Sequence, residues 1–424
     1  GGFGPKLVVY QEDIVVALAS KMIGRPVKWI EDRREHFIVT TQERDQYWSA
    51  EIAVDEDGKI LGIRGGVIHD HGAYTARGVN LAYNAAETVT LGYVVPHYCM
   101  NVKVVLTNKV PVTPVRGAGH PQGTFVMERL MDRVAKELSL DPVEARRRNM
   151  VPGDAMPYDL PIKTRGGTPI QLDSGDYPKC MDDALEAAHY HDFAARQAVA
   201  RNNGRYLGIG LANFVKGTGR GPFEMVTVRI GASGKITVQS GGTEIGQAHK
   251  TMLAQIVGEQ FGGDMDNIMV INGDTAATSL GIGTSNSRLA CMAGSSAHVA
   301  AEKVHKKALE VAAHMLEASE EDLEIENGEI HVAGVPAMKV TLGQVAKAVA
   351  GTPGYALPGG IEPGMEATET LVMDAMTYAS GTAVAEVEVD IETGQVRILN
   401  LVLGHDSGTV INPMIVEGRV FGGI

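Results

Sequence analysis

The stretch PVTPVRGAGHPQGTFVMERLMDRVAKEL, residues 111–138, decides how this sequence is expected to fold. Its first part is a loop broken by proline and glycine (the arginine loop, residues 111–119), and its second part has apolar residues at helical spacing. The start of a helix presents backbone N–H groups, and Gly117 and Gly119 let a ligand approach them closely. Arg116 adds a positive charge on a planar set of donors. We interpret the stretch as an anion-binding loop held at a rigid helix start.

Three other loops have the same form. They are GGFGPK (the N-terminal loop, residues 1–6), GGTEIGQAHKT (the glutamine loop, residues 241–251) and GIGTSNSR (the serine loop, residues 281–288). Each is rich in glycine or serine, poor in charge, and followed by an apolar-periodic stretch that is expected to be helical. One such loop is usually a plain connection. Four in one chain predict a large ligand held by backbone amides, such as a dinucleotide-like cofactor.

The composition indicates a well-buried globular protein. The residues are 44% hydrophobic and 21% charged, and the length of 424 residues predicts two or three domains. The net charge of −13 argues against nonspecific nucleic-acid binding, and no apolar run reaches membrane-spanning length. The cysteines Cys99, Cys180 and Cys291 form no CxxC pair, so neither an iron–sulfur cluster nor a structural zinc is expected. We expect a cytoplasmic protein with no nucleic-acid or membrane partner.

Hairpin signals mixed with long helical segments predict the α+β class. Helices are expected over residues 10–22, 181–188 and 192–202, and hairpin turns at residues 55–58, 233–234, 327–328 and 393–394. A strand is expected over residues 27–30 and a strand pair within residues 92–106.

The domain division is predicted from a change in composition. Residues 152–180 are rich in proline and glycine and show no sustained periodicity, as is typical of a linker. We therefore expect a first domain over residues 1–151 and a second over residues 181–424.

Two further clusters leave alternatives open. His69 and His71 would share one face of a strand and could bind a metal ion, but no third ligand lies nearby in the sequence. The basic run Arg146–Arg148 could contact an acidic partner, or it could form a solvated or salt-bridged helix face. No protein metal site is predicted.

The four loops, in their order, resemble a known family. Together with ERLMDRVAKELSLDPVEARRRN after the arginine loop and the closing HDSGTVINPMIVEG, they are similar to the molybdopterin-binding large subunit of the xanthine dehydrogenase, aldehyde oxidase and carbon monoxide dehydrogenase family. The resemblance covers nearly the whole chain and implies two mixed-sheet molybdopterin-binding domains. Both ends read as interrupted, so we expect an internal fragment whose first domain is incomplete at its N-terminus and whose second is incomplete at its C-terminus.

The resemblance also implies which residues bind the cofactor. Those beside the molybdenum would be Phe3, Gly4, Arg116, Gly117 and Ala118. Those that hydrogen-bond the pterin would be Gly246, Gln247 and Ala248, and those that hold the phosphates and nucleotide would be Thr284, Ser285, Asn286, Ser287 and Arg288. In this family the metal is held by the dithiolene of the pterin, so no protein ligand to it is implied.

The reaction implied by the resemblance is hydroxylation of an electron-poor carbon with oxygen from water. The cofactor would be molybdenum–molybdopterin in its cytosine dinucleotide form. Electrons would pass to [2Fe-2S] clusters and FAD on a small and a medium partner subunit, in a dimer of heterotrimers. The family's catalytic base is a glutamate that would lie beyond Ile424, so no catalytic residue is expected within this chain, and neither Glu244 nor Glu417 is assigned that role.

Departures from the family pattern bear on the substrate. Gly117 stands where members that oxidise carbon monoxide carry cysteine, and Leu7 stands where members that oxidise xanthine carry glutamate. Arg419 stands where relatives often carry glutamine. We expect an aldehyde or a nitrogen heterocycle as substrate. The alternatives are a truncated or split cofactor-binding portion without catalysis of its own, and a nucleotide-binding protein without a metal.

Overall fold

A computed structural model of the chain describes residues 2–263, 265–351, 353, 357 and 360–424, so Gly1 of the N-terminal loop lies outside the described residues. The described α-helices are α1 (Gln11–Ile23), α2 (Arg33–Val39), α3 (Val79–Thr88), α4 (His120–Glu137), α5 (Pro142–Arg147), α6 (Tyr177–Ala187), α7 (Phe193–Asn202), α8 (His249–Glu259), α9 (Leu289–Leu316), α10 (Leu342–Ala348) and α11 (Pro413–Phe421). The described strands are β1 (Gln46–Val54), β2 (Ile60–Asp70), β3 (Tyr98–Val105), β4 (Tyr158–Lys163), β5 (Pro169–Leu172), β6 (Leu207–Thr218), β7 (Phe223–Ile230), β8 (Ile236–Ser240), β9 (Ile268–Asn272), β10 (Leu323–Glu326), β11 (Glu329–Val332), β12 (Val335–Thr341), β13 (Glu366–Val372), β14 (Thr377–Val389) and β15 (Val396–Asp406).

Several small sheets with helices packed on them confirm the α+β class. Their strand orders are β1-β2-β3, β4-β5, β15-β14-β6, β13-β7-β8-β9 and β10-β11-β12. Two of the sheets are mixed, because β2 pairs in parallel with β3 and β8 with β9, whereas the neighbouring pairs are antiparallel. The chain divides into two compact units. The first unit is Gly2–Lys216 with Tyr378–Gly408, and the second unit is Gly217–Thr377 with Thr409–Ile424.

Most of the local elements expected from the sequence are present. The helices predicted over residues 10–22, 181–188 and 192–202 correspond to α1, α6 and α7. The four predicted turns join antiparallel neighbours, namely β1 to β2, β7 to β8, β10 to β11 and β14 to β15. In the first of these turns the carboxylate of Asp55 accepts hydrogen bonds from the N–H groups of Asp57 (3.0 Å) and Lys59 (2.8 Å). Such local bonds are why hairpin turns can be read from sequence.

Two strand predictions were wrong. Residues 27–30 lie in irregular structure, so the strand-forming residues of this segment find no ladder partner among the described residues. Within residues 92–106 only β3 is a strand. The earlier part of that range instead lies beside the residues that come directly after α5. Val94 N–H donates to Asn149 O at 2.8 Å, and Tyr93 forms an isolated antiparallel bridge with Met150.

The segment 152–180, predicted to be a linker, has regular structure. It contains the antiparallel pair β4–β5 and the first turn of α6. Asp173 in this segment accepts a hydrogen bond from Tyr378 N–H at 2.8 Å, which ties it to the start of β14 within the first unit. The boundaries at residues 151 and 181 stay a prediction.

The basic run Arg146–Arg148 is salt-bridged, which is one of the two alternatives that the sequence left open. Arg146 is fully buried, and its Nε donates to Glu128 at 2.7 Å. Arg147 pairs with Asp182, and Arg148 pairs with Glu144 at 2.8 Å. All three guanidinium groups therefore have carboxylate partners within the first unit, which removes the reason to assign the run to an acidic partner.

Helix α4 packs directly on α3. A Cβ atom at Gly119 would lie 2.4 Å from Leu81 O, and one at Gly123 would lie 2.2 Å from Ala85 O, both on α3. Helix α4 also buries apolar residues at the helical spacing that the sequence predicted, namely Val126, Met127, Met131 and Val134. Of these, Met127 and Met131 are almost fully buried. This contact places the arginine loop at a fixed position on the first unit.

The core of the second unit lies between the β13-β7-β8-β9 sheet and helices α8 and α9. Valines of β7 and β8, among them Val226 and Val238, are fully buried against α9. The contacting face of α9 is made of alanines, including Ala297 and Ala300, whose small side chains let the 28-residue helix approach the sheet closely. None of the helices that the structure describes combines the length and the apolar character needed to cross a membrane.

Replacing Gly123 by alanine should destabilise the protein, although alanine normally favours a helix over glycine by about 1 kcal/mol. The added methyl group would meet the carbonyl oxygen of Ala85, and overpacking costs about 1–3 kcal/mol. Gly418→Ala in α11 is the matched control, since a Cβ there meets nothing within 4 Å. Urea unfolding should show opposite signs for the two variants, and equal stabilisation by both would contradict the close packing of α3 and α4.

Candidate functional site

The N-terminal loop and the arginine loop meet in the first unit. Arg116 N–H donates a hydrogen bond to Phe3 O at 2.7 Å. Gly4 packs so closely on the arginine loop that a Cβ there would lie 1.8 Å from Pro114 O. Phe3 and Ala118 both have positive φ angles, 51° and 49°, which are uncommon for residues with a side chain. The structure thus brings Phe3 and Gly4 together with Arg116–Ala118, as their predicted shared role requires.

A buried glutamate fills the helix start that the sequence was expected to leave open for an anion. Glu43 Oε2 accepts from Val115 N–H, and Oε1 accepts from Gly119 N–H at 2.8 Å and from Gln122 Nε2 at 3.5 Å. Its side chain is fully buried. Burial raises the pKa of Glu43, although the charge of Arg44 and the donated hydrogen bonds act in the opposite direction. The prediction of open amides at this helix start was wrong for Val115 and Gly119.

The glutamine loop in the second unit is organised in the same way by Glu244. Its carboxylate accepts from the N–H groups of Gly246 at 3.0 Å, Ala248 at 2.9 Å and Lys250 at 3.1 Å. Burial acts to raise the pKa of Glu244, but these backbone hydrogen bonds outweigh it, so the pKa lies below its usual value. Glu244 therefore shapes the loop, which agrees with leaving it unassigned as a catalytic base.

Gln247 projects from this loop at a helix start. Its Oε1 accepts from Ile245 N–H at 2.9 Å, so the group that the side chain can offer to a ligand is the Nε2 donor. Its backbone oxygen accepts from Arg419 Nη2 at 3.0 Å, which gives a role to the arginine that departs from the family pattern. Gly246 has a φ of 100° and open space around the position of a Cβ. A ligand can therefore approach the backbone at Gly246.

The serine loop meets the glutamine loop over Glu224, which is fully buried like the side chain of Glu43. Glu224 Oε2 accepts from Ile282 N–H at 3.2 Å and Gly283 N–H at 3.3 Å. A Cβ at Gly241 or at Gly281 would lie within 2.8 Å of Glu224 Oε1, so the two loops close on the carboxylate from both sides. Within the second unit, the predicted pterin-binding and nucleotide-binding residues thus lie on loops that are in contact.

Arg288 lies inside the second unit rather than on the surface of the serine loop. It is 2% exposed, and its Nη1 pairs with Glu224 and donates to Gly283 O at 2.8 Å. Its Nε donates to Arg220 O at 2.8 Å and its Nη2 to Phe223 O. All three nitrogens of the guanidinium group are therefore engaged. This geometry favours a role in holding the loop over the direct phosphate contact that the sequence predicted for Arg288.

The other predicted residues of the serine loop are more accessible. Asn286 and Ser287 are exposed, and both have φ angles of 52°. Thr284 and Ser285 are half-buried, and Thr284 Oγ1 donates to Thr243 O at 2.6 Å, which is a second bond between the serine and glutamine loops. Consecutive positive φ angles turn the backbone so that neighbouring peptide groups and hydroxyls can face one ligand.

The sequence analysis did not identify Glu43 and Glu224 as residues that bind the loop amides. Glu43 lies in an irregular segment 72 residues before its partner Val115. Glu224 lies in β7, and the serine-loop amides that it binds are 58 and 59 residues away. An acidic residue among the apolar residues at the start of a strand, as at Glu224 in FEMVTVRI, is the signal that could have indicated a buried polar role.

The histidine pair does not form a metal centre with other side chains. His69 and His71 are buried with ring centroids 5.8 Å apart, and burial lowers the pKa of both. Asp70 between them is bound elsewhere, to Lys109 at 2.8 Å and Thr107 at 2.6 Å. In the ranges that the structure describes, no three His, Cys, Asp or Glu side chains are grouped so as to hold a metal ion.

Comparison with known families identifies the family to which this chain belongs. Two family models match the chain, both described as a molybdopterin cofactor-binding domain, over residues 1–150 and 183–424. The chain belongs to the molybdopterin-binding large-subunit family. This confirms the resemblance drawn from the loops to the xanthine dehydrogenase, aldehyde oxidase and carbon monoxide dehydrogenase proteins.

Curated members of this large-subunit family match along the whole chain. The chain is 36% identical to subunit gamma of the 6-hydroxypseudooxynicotine dehydrogenase complex of Paenarthrobacter nicotinovorans, covering all of this chain and 53% of that protein. It is 34% identical to the carbon monoxide dehydrogenase large chain of Hydrogenophaga pseudoflava, covering all of this chain and 54% of that protein. The chain thus spans about half the length of the curated relatives it matches.

A solved structure gives the same result for the fold. Quinoline 2-oxidoreductase from Pseudomonas putida 86 is similar with a TM-score of 0.87 and 36% identity, over all of this chain and 55% of that one. The predicted fold, two mixed-sheet parts of a molybdenum hydroxylase large subunit, is confirmed at this level.

Glu224→Gln should destabilise the second unit strongly. The substitution removes the counter-charge of the buried Arg288, and breaking a buried ion pair costs about 3–5 kcal/mol. Glu366→Gln is the control, because its pair with Arg229 is exposed and 3.8 Å long, where such pairs contribute about 0–1 kcal/mol. Denaturant unfolding measures both. A loss below about 1 kcal/mol for Glu224→Gln would contradict the role of the Glu224–Arg288 pair.

Proposed function

We propose that this chain is the cofactor-binding half of a molybdenum hydroxylase that oxidises a nitrogen heterocycle or an aldehyde with oxygen from water. The observation that carries the proposal is the arrangement of its four loops as two contacting pairs, with a buried glutamate bound to the arginine loop in one pair and to the serine loop in the other, within two molybdopterin cofactor-binding matches. When bound, the cofactor supplies a metal that lowers the pKa of water and accepts electrons from the substrate. The protein supplies binding, orientation and exclusion of water.

In the first unit, the residues fit the molybdenum end of the cofactor. Arg116 is exposed on a loop whose backbone is fixed by Phe3, and its guanidinium suits a polarised oxygen. Gly117 and Ala118 have positive φ angles of 106° and 49°, which turn the backbone sharply beside that arginine. Together with Gly4 these residues are proposed to surround the metal centre.

In the second unit, the residues fit a pterin and a phosphate-linked nucleotide. Gln247 offers an Nε2 donor suited to the acceptor atoms of a pterin, and the open space at Gly246 fits the close approach of a flat ring. Asn286 and Ser287 offer exposed neutral polar groups for phosphates, and Gly219 N–H donates to Ser287 O at 3.1 Å, which fixes the backbone there. Ala248, Thr284 and Ser285 complete the proposed set. We propose the cytosine dinucleotide form of the cofactor.

A nitrogen heterocycle is the better supported substrate class. The similar solved structure at 36% identity is named for an oxidoreductase of quinoline, a nitrogen heterocycle. The 34% identical relative acts, by its name, on carbon monoxide. Gly117 stands where the resemblance places a cysteine for that reaction, and Leu7 stands where it places a glutamate for xanthine. A purine would therefore lack a polar partner at Leu7.

Partner subunits complete the proposed enzyme. Relatives are named as a large chain and as a subunit of a complex, which supports electron transfer to [2Fe-2S] clusters on a small subunit and to FAD on a medium subunit. We propose a cytoplasmic dimer of heterotrimers, with the catalytic glutamate outside this chain. The domain division stays a proposal, with one cofactor-binding domain over residues 1–151, another over residues 181–424, and residues 152–180 between them. A cofactor-binding portion without catalysis of its own is the second candidate.

Purified full-length protein is expected to contain about one molybdenum atom per chain, measured by mass spectrometry. With an artificial dye acceptor it should oxidise quinoline- or nicotinate-like rings faster than aldehydes, and xanthine and carbon monoxide least. Stoichiometric metal without turnover of any substrate class would favour the second candidate. A folded protein without molybdenum would contradict the proposal.

Gln247→Ala should lower the molybdenum content of the purified protein by about fivefold or more, because a lost hydrogen bond to a buried ligand costs about 1–3 kcal/mol. The control is Gln171→Ala, whose exposed side chain bonds Asp159 at 2.8 Å on the β4–β5 hairpin. Both variants should keep the thermal midpoint of the parent apoprotein. Equal metal content in Gln247→Ala and the parent would remove Gln247 from the proposed site.

A further inference from the structure

Glu43 joins the two ends of the turn that carries Arg116. Its fully buried carboxylate accepts from Val115 N–H on one side of Arg116 and from Gly119 N–H on the other. Both oxygens accept and every named partner is a donor, so the side chain acts as an internal anion. Residues 116–118 are consequently held between two anchored ends.

Arg44 fixes the same turn from the opposite side of the Arg116 peptide. Its Nη2 donates to Arg116 O at 2.5 Å, while Arg116 N–H donates to Phe3 O at 2.7 Å. Both backbone groups of Arg116 are thus engaged. Arg44 itself has a φ of 92°, a rare backbone conformation for a residue with a side chain, which costs about 1–3 kcal/mol.

The strain at Arg44 is maintained by neighbours on both sides. Glu43 before it is bound to the arginine loop, and Asp45 after it pairs with Lys109. Gln42 also pairs in parallel with Val112, and its backbone oxygen accepts from Thr113 N–H at 3.1 Å. These contacts therefore hold the strained backbone of Arg44 in place. Strain of this kind is typically maintained where it positions a functional group.

We propose that Glu43 and Arg44 are positioning residues that orient Arg116 and thereby set how tightly the chain retains its cofactor. The inference rests on the proposed function, which assigns Arg116 to the molybdenum centre. Neither residue needs to touch the cofactor. Their effect passes through the peptide groups of Arg116, whose side-chain direction follows from the fixed backbone.

The test uses the full-length, molybdenum-loaded protein and the substitutions Glu43→Gln, Arg44→Ala and Arg116→Ala, with the double variant Glu43→Gln/Arg116→Ala. Glu51→Gln is the matched control, because Glu51 is exposed on β1 and pairs with the exposed Arg64. Two quantities are measured: the molybdenum retained per chain after extended dialysis, and the hydrogen exchange of amides 115–119.

The expected result is that Glu43→Gln and Arg44→Ala each retain about fivefold less molybdenum and exchange these amides about tenfold faster, whereas Glu51→Gln matches the parent. The double variant should retain no less than Arg116→Ala alone, because Glu43 acts through Arg116. A purely structural role would instead lower the thermal midpoint without this dependence on Arg116.

Parent-like retention and exchange in both Glu43→Gln and Arg44→Ala would overturn the inference, and so would additive losses in the double variant. If Glu43→Gln does not fold, Arg44→Ala decides, since it removes the bond to Arg116 O and the 3.3 Å pair with Glu43 but keeps the Glu43 carboxylate and the hydrogen bonds that it accepts from Val115 and Gly119. A parent protein without molybdenum refutes the proposed function instead. In that case unchanged exchange at residues 115–119 refutes the positioning of Arg116 as well, and faster exchange supports it.

Discussion

Carboxylates bound to backbone N–H groups determine the shape of three of the four loops that are rich in glycine or serine. A glycine-rich loop at a helix start has several donors without a helical partner, and leaving such groups unsatisfied inside a protein costs about 1–3 kcal/mol each. Glu43, Glu224 and Glu244 accept hydrogen bonds from donors of these loops. Glu43 and Glu244 do so at the starts of α4 and α8, where an anion is favoured. The loops are therefore ordered by the protein before a ligand binds.

This arrangement changes where recognition takes place. Since internal glutamates occupy several amides of the loops, the proposed contacts to a phosphate or a metal oxo group fall on the outward face of each loop. In the arginine loop this face carries the guanidinium of Arg116. In the glutamine loop it carries the side-chain amide of Gln247 and the open backbone at Gly246. A preordered loop loses little conformational entropy on binding, so a few polar contacts of this kind suffice to hold a large cofactor.

What the sequence could predict follows from the range of the interactions involved. Helix α4 and the hairpin at Asp55 depend on local periodicity and local turn bonds, and both were predicted correctly. The role of Glu43 depends on a partner 72 residues away, and no local pattern marks it. The strand expected over residues 27–30 failed for the same reason, because strand formation requires a partner that composition does not reveal. The metal came from the family resemblance and could not follow from the loop chemistry alone.

Arg288 shows how one residue type in a motif can serve either of two purposes. The planar guanidinium that suits a phosphate is equally suited to join one carboxylate to several carbonyl oxygens, and within the second unit it joins Glu224 to the backbone of the serine loop. Releasing it toward a ligand would leave Glu224 buried without its counter-charge. The proposed contacts to the nucleotide end therefore rest on the exposed residues Asn286 and Ser287, which both have left-handed backbone conformations.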